Sequence, residues 1–415
     1  MREPLSRPAL ARGVDEVLLA ARAVDWTRLG GRALCDACLG RLFGKLGHGH
    51  TNRDRGKAAR AHVEVPTGPC WLCGGLLDEV DRLAGLVAQK LEPWEYVTFL
   101  IGSKVDPEVA AREEALWREL PVASPEPIKA ELNREIGKRV AEIAGREPDL
   151  ADPDVVAIVD PAFDHVELEV HSLFLRGRYR KLSREIPQTR WPCRRCRGKG
   201  CPRCGGTGKM YPTSVEEIVA AEVMRESGGT GHALHGMGRE DIDARMLGRG
   251  RPFIVEIKEP RRRTLDLDAV VSRIAASGAV EVDRLVPVRR RDVIALKEDR
   301  ALKTYRVLVR IVPPVEQAKV KEELTLLAAQ PIAQRTPSRV AHRRADTTRH
   351  RRLRDAEIVR VDGDLAEIRV TAEAGTYIKE LVHGDQGRTT PSLAERLGAK
   401  CEVVELDVLD VHDEG

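Results

Sequence analysis

The chain has 415 residues, 42% of them apolar and 32% charged, with a formal net charge of only +4. That length suits two or three domains, and the apolar share is enough for real cores, so a wholly disordered chain is excluded. No apolar run approaches the ~18 residues a membrane span needs, and Met1 to Arg12 carries no apolar signal-peptide core, which leads us to expect a cytoplasmic protein without a membrane segment.

Asn occurs only twice and Gln six times. A charge-rich, amide-poor balance of this kind resembles proteins built for high temperature. In a reducing compartment the nine cysteines are read for metal before disulfides.

Along the chain, Cys35/Cys38 and Cys70/Cys73 come first, each a Cys-x-x-Cys pair. Ile128, Leu132, Ile136, Val140 and Ile143 recur at helical spacing and predict a helix with one apolar face. Val155 to Val159 predicts a short buried strand. Val166, Leu168 and Val170 alternate with polar residues and predict a half-exposed one. The basic run Arg176, Arg178, Arg180, Lys181 follows closely and is placed near a strand end. Ile186 to Pro212 holds Cys193/Cys196 and Cys201/Cys204 and reads as a linker or domain edge. Ser214-Val-Glu-Glu217 is a capping-box pattern, and its helix should stop at Gly228. Beyond a glycine-rich stretch, 231–250, we expect strands at 253–257 and around Tyr305, and a helix over 265–276. A hairpin turning at Asp362-Gly363, a short helix at 391–397 and a last strand over 401–411 complete the chain. Both blocks read as α+β, the second with a mostly antiparallel sheet.

A Cys-x-x-Cys turn places two thiolates on one side of a tight loop, and two such turns complete a tetrahedral four-sulfur site. The first two pairs, Cys35, Cys38, Cys70 and Cys73, are compatible with one such site. Cys193, Cys196, Cys201 and Cys204 lie in one short stretch, with glycines supplying the positive φ that a knuckle needs. A closed four-sulfur site has no open position for substrate, so the expected zinc is structural. Cys401 opens an apolar strand and is read as a core residue.

Charge is uneven although its total is small. Arg176 to Lys209 holds twelve Lys or Arg and one acid, and Arg335 to Arg354 holds eight arginines against Asp346. Arginine's planar fork suits phosphates, so these runs make nucleic acid the leading partner. With 4% aromatic residues, a folded RNA recognised by shape and backbone fits better than base stacking along single strands. Gly228 to Gly231 lacks the acidic and Ser positions of a thiolase nucleotide loop. Gly206-Thr-Gly208-Lys209 is followed by Met210, where a phosphate loop needs Ser or Thr. No Gly-x-Gly-x-x-Gly follows a strand.

Gly238-Arg239-Glu240-Asp241 resembles the catalytic loop of pseudouridine synthases. Lys303-Thr-Tyr305-Arg306 resembles the strand carrying their uracil-stacking tyrosine. Gly375-Thr376-Tyr377-Ile378-Lys379-Glu380-Leu381 resembles the motif of enzymes that modify the tRNA T loop, and Gly387 to Ser392 continues it. Together with the N-terminal cysteines, these motifs resemble the archaeal tRNA pseudouridine synthases of the family numbered ten over nearly the whole length.

The resemblance implies an N-terminal zinc-binding segment (1–75), a THUMP-like RNA-binding domain (76–188) and a catalytic domain (189–415) with a zinc knuckle at 193–204. It implies an isomerase acting on uridines 54 and 55 of tRNA, with the T loop and arm as partner. No net redox change occurs, so no cofactor is implied for catalysis; a monomer is expected. Asp241 would be the catalytic carboxylate, with Asp243 as competitor, and Lys379 would stand beside it as counter-charge. Tyr305 would stack on the flipped uracil, and Tyr377, Ile378 and Leu406 would line the pocket. Ordinary core packing remains open for these last three. Arg176, Arg178, Arg180 and Lys181 would contact RNA, and so would Arg343 and Arg344 of a thumb-like loop between two catalytic strands. The alternatives are a non-catalytic zinc-dependent tRNA-binding protein, and a different RNA-modifying enzyme that requires S-adenosylmethionine or ATP.

Overall fold

The computed structural model describes residues 7–122, 125–343 and 345–413. They fall into two compact units, divided between His171 and Ser172. Among the described residues no helix is long and apolar enough to cross a membrane.

The first unit is α+β. Its sheet runs in the order Glu147–Pro148, Thr98–Ser103, Val155–Asp160, His165–Val170, parallel for the first two pairings and antiparallel for the last. The helix Ile128–Ala144 forms as its spacing predicts. It buries Ile128, Leu132, Ile136 and Val140 and leaves Ile143 exposed. One apolar core extends from Val17 to Val166 and includes Cys38, Cys70 and Cys73. The expected zinc segment and the expected RNA-binding domain thus share a single core.

The second unit is built on an eight-stranded sheet. Its order is Leu353–Asp362, Leu365–Ala372, Leu302–Val312, Lys400–His412, Arg245–Lys258, Leu173–Lys181, Val280–Val288, with Gly231–Gly236 paired to Arg245–Lys258. All pairings are antiparallel except the short one between Lys400–His412 and Arg245–Lys258. The hairpin at Asp362-Gly363 forms as expected. The helix Val215–Ser227 is capped by Ser214, whose hydroxyl accepts from Glu217 N, and ends on Gly228 at φ 66°. Two apolar clusters fill the unit, one centred on Phe253, Ile254 and Val255, the other on Val307, Val309 and Ile368. Tyr305 packs against both.

Two expectations are corrected here. The basic run 176–181 does not sit at the end of the first block. It forms the strand Leu173–Lys181, hydrogen-bonded on both sides within the second unit's sheet, so the boundary falls at 171/172 and not after 188. Nor is Ile186–Pro212 a linker: Ile186 is buried in the second unit's core, and Pro187 and Gln188 carbonyls accept from Val215 N and Glu216 N. The thumb-like run forms a small sheet of Thr348–Arg351, Ile332–Arg335 and Thr389–Thr390, with the one-turn segment Ser338–Arg343 between its first two strands in sequence.

Candidate active site and cysteine clusters

The Asp241 loop runs from Met237 in one apolar cluster of the second unit to Ala244 in the other. It is fixed from below by buried polar groups. Gly238 holds φ at 80°, and a Cβ there would press on Arg251 and Lys303. Glu240 is fully buried and accepts from Tyr179 Oη (2.9 Å) and from Arg251 Nε (2.8 Å). Arg251 Nη1 donates to Met237 O (2.7 Å), and Gln188 Nε2 donates to both Tyr179 Oη (2.8 Å) and Gly238 O (3.0 Å). Lys181 Nζ donates to Ile242 O (2.7 Å), Asp241 O (3.3 Å) and Ile186 O (3.0 Å). Burial pulls its pKa down to about 8. Arg184 Nη1 donates to Asp243 O and Leu406 O, each at 2.9 Å, tying the loop to the last strand.

The Asp241 carboxylate is about a third exposed and meets two cations from the other half of the unit. Arg339 Nη1 donates to Oδ1 at 3.0 Å, and Lys379 Nζ lies 3.6 Å from Oδ2. Lys379 is closer to Asp243, at 2.7 Å. Arg339 also donates through Nε to the buried Glu380 carboxylate at 2.7 Å. Burial opposes the Arg339 charge, but Glu380 and Asp241 outweigh it and raise the guanidinium pKa. Burial raises the Tyr305 phenol to about 12; Arg251 works against the shift, and the charges of Asp241 and Glu240 add to it. Lys379 is therefore brought to Asp241, and the Asp241 charge reaches the Tyr305 phenol. The competitor Asp243 is two-thirds exposed; burial would raise its pKa, but Lys379 reverses this and lowers it.

Ile378 and Leu406 lie in the apolar cluster around Val307. Tyr377 caps the helix Ile378–His383, and its backbone exchanges two hydrogen bonds with the Gln334 side chain. Two of the expected RNA contacts are corrected. Lys181 is fully buried under the Asp241 loop, and Arg178 is spent on Asp413 and on the carbonyls of Arg249, Gly250 and Val411. Four of the five N–H groups of Arg178 are thus already spent inside the fold. Arg180 pairs with Glu281, and Arg176 faces Asp413 at 3.9 Å. Arg344 and the side chain of Arg343 lie outside the described residues. Sequence reasoning missed Arg339, since nothing local separates it from the other arginines of its run. It also missed the Glu240–Arg251 pair.

Both cysteine quartets close. In each, four sulfurs lie within 4.8 Å of one another, a set able to hold a metal ion. Cys35 and Cys73 Sγ are 3.8 Å apart; in the knuckle the separations are 3.9, 3.9 and 3.7 Å. Bonds of ~2.3 Å to one tetrahedral ion set sulfurs about 3.8 Å apart, so this donor geometry fits zinc. The knuckle glycines are needed as expected: a Cβ on Gly208 would lie 2.3 Å from Gly198 O, and one on Gly200 2.5 Å from Gly206 O. Cys401 is buried, with its thiol pushed up to about 11.

Known proteins match both units. A family model described as Pus10, C-terminal, matches residues 174–412, and one described as Pus10 THUMP domain, archaeal, matches 83–160. The chain belongs to the Pus10 family. A Pus10 relative from Methanothrix thermoacetophila is 42% identical, over 95% of this chain and 94% of its own. Those from Methanopyrus kandleri (41%, 92% and 96%) and Pyrococcus furiosus (40%, 92% and 95%) are similar over the same extent. All three are named tRNA pseudouridine synthase Pus10. The Pus10 matches begin and end close to the 171/172 division, and the α+β architecture of a THUMP domain followed by a synthase domain agrees with them.

Proposed function

We propose that this chain is a tRNA pseudouridine synthase that isomerises uridines 54 and 55 of the T loop, with Asp241 as the catalytic carboxylate. The observation that carries this reading is the Asp241 carboxylate itself. It is held between Arg339 and Lys379, beside Tyr305, on a loop braced by a buried ion pair. Relatives of about 40% identity over nearly the whole chain bear the name of that activity.

The reaction breaks the bond from uracil N1 to ribose C1′ and forms one from C5 to C1′. The proton on C5 leaves and N1 gains one, so atoms and electrons balance without a co-reactant. A single positioned carboxylate is enough to act as nucleophile or base next to the glycosidic carbon. Arg339 and Lys379 orient Asp241, and Tyr305, a neutral phenol at physiological pH, offers its ring to the extruded base. Cys35, Cys38, Cys70 and Cys73, and Cys193, Cys196, Cys201 and Cys204, would hold zinc that contributes folding energy only, because four thiolates leave no open coordination position. Lys379 serves both carboxylates, 2.7 Å from Asp243 and 3.6 Å from Asp241.

The test is to incubate the purified full chain with an unmodified tRNA transcript and no added cofactor, then map pseudouridine. Product at 54 and 55 supports the reading. Tight binding without product favours a non-catalytic tRNA-binding protein, and product only on addition of S-adenosylmethionine or ATP favours another modifying enzyme.

A further inference from the structure

The basic run from Arg176 to Lys209 divides in two. Its first half is spent inside the fold: Arg178 pairs with Asp413, Arg180 with Glu281, and Arg184 with Glu405 and Asp407, while Lys181 is buried on three carbonyls. Its second half is not. From Ile186 to Pro212 there are seven Lys or Arg and no Asp or Glu. Lys209 pairs with Glu217. Arg190, Arg194, Arg195, Arg197, Lys199 and Arg203 are all exposed, and among the described residues none has an ion-pair partner. Six exposed cations within fourteen residues, with no acid among them, are a cost in self-repulsion that a polyanionic partner removes.

The cluster sits on a rigid frame. The two ends of the knuckle are joined by an isolated antiparallel bridge between Pro192 and Lys209, with Cys193 N donating to Gly208 O (2.7 Å) and Met210 N to Trp191 O (2.9 Å). The frame is also fastened to the Asp241 loop. The Arg239 guanidinium lies over the Trp191 ring, 5.1 Å from its centroid, and Trp191 meets Tyr211 edge-on at 5.8 Å. Arg239 is two residues from Asp241. Between the cysteine turns and Tyr211 lies an open groove of about 690 Å³, bordered by Arg194, Arg203 and Lys209.

We propose that the exposed face of the Cys193–Cys204 knuckle is a phosphate-binding surface that grips the backbone of the substrate RNA beside the nucleotide being modified. This rests on the proposed activity only for the identity of the RNA. Arginine forks match phosphate oxygens, and a frame stacked on the catalytic loop places the gripped backbone at a fixed distance from Asp241. The binding is to backbone and shape, since the knuckle presents no row of stacking aromatics.

The test is a titration of full-length protein against unmodified tRNA transcript over a series of salt concentrations. The variant is Arg194→Gln/Arg195→Gln/Arg197→Gln, which leaves every cysteine in place. Three lost phosphate contacts make the slope of log affinity against log salt shallower by about 2, and weaken binding about tenfold at moderate salt. Arg→Lys at the same positions retains the slope. Metal content and melting temperature are measured alongside. If the triple variant loses either, Lys199→Gln/Arg203→Gln on the second turn replaces it, with a slope change of about 1.5 expected. Unchanged affinity and slope in a folded, metal-loaded variant overturn the proposal while leaving the activity standing. A wild-type chain that binds tRNA with the full slope but makes no pseudouridine overturns the activity and leaves the surface standing.

Discussion

Glu240 offers a measurement whose size can be worked from the structure. It is fully buried beneath Asp241, accepts from Arg251 Nε at 2.8 Å, and takes the Tyr179 hydroxyl. Glu240→Ala leaves the Arg251 guanidinium, itself fully buried, with only the Met237 carbonyl. Stranding a buried charge in this way costs roughly 3–5 kcal/mol. For a domain of this size that lowers the melting temperature by roughly 6–20 °C. Glu240→Gln keeps an acceptor for both donors and costs less, about 1–3 kcal/mol. Glu240→Ala/Arg251→Met removes the stranded cation as well. It should regain about 2 kcal/mol relative to the sum of the two single changes, a coupling that only contacting residues show. The assay is thermal melting of the unsubstituted chain, the single variants Glu240→Ala, Glu240→Gln and Arg251→Met, and the double variant, followed by single-turnover pseudouridine formation at a temperature where all are folded. Because Asp241 is the next residue, the folded Glu240→Ala protein should react about a hundredfold more slowly, as expected for a misplaced reacting group. Strict additivity of the two substitutions, or a full rate in the folded variant, would refute the role assigned to this pair.

Arg339 supports a second prediction. Arg339→Gln removes the 3.0 Å contact to Asp241 and leaves Glu380 without its cation. The single-turnover rate should fall about a hundredfold while the tRNA Kd changes little; equal losses in rate and affinity would make Arg339 a binding residue only. Lys181 supports a third. Burial lowers its pKa to about 8 from 10.5. Between these values the unfolded chain keeps a proton that the folded chain has lost, so stability rises with pH across that window. The stability difference between the unsubstituted chain and Lys181→Met should therefore shift in favour of Lys181, by up to about 3 kcal/mol, from pH 8 to pH 10.5. A difference that stays flat across the window contradicts a Lys181 pKa lowered by burial.

Features set by near neighbours were legible in the sequence. Helix Val215–Ser227 could be bounded by its Ser cap and its glycine stop, Ile128–Ala144 by its apolar spacing, and the hairpin by Asp362-Gly363. The cysteine quartets were legible too, because two tight turns leave few other arrangements. Asp241 was reached through motif resemblance, and its surroundings only in part. Arg339 lies 98 residues from Asp241, and contacts across such separations leave no periodic trace. The same holds for Lys181, 60 residues from the carbonyl it holds. The basic run misled for a related reason. A count of charges does not distinguish arginines facing solvent from arginines facing Asp413 or Glu281, and strand pairing decided which was which.

The central claim concerns one carboxylate. The direct test is Asp241→Asn, which keeps the side chain's shape and its contact with Arg339, in a single-turnover reaction with unmodified tRNA. The account predicts tRNA binding within a few-fold of the unsubstituted chain and no pseudouridine at 54 or 55. Product formed at an undiminished rate would contradict it, and would move the chemistry to another group.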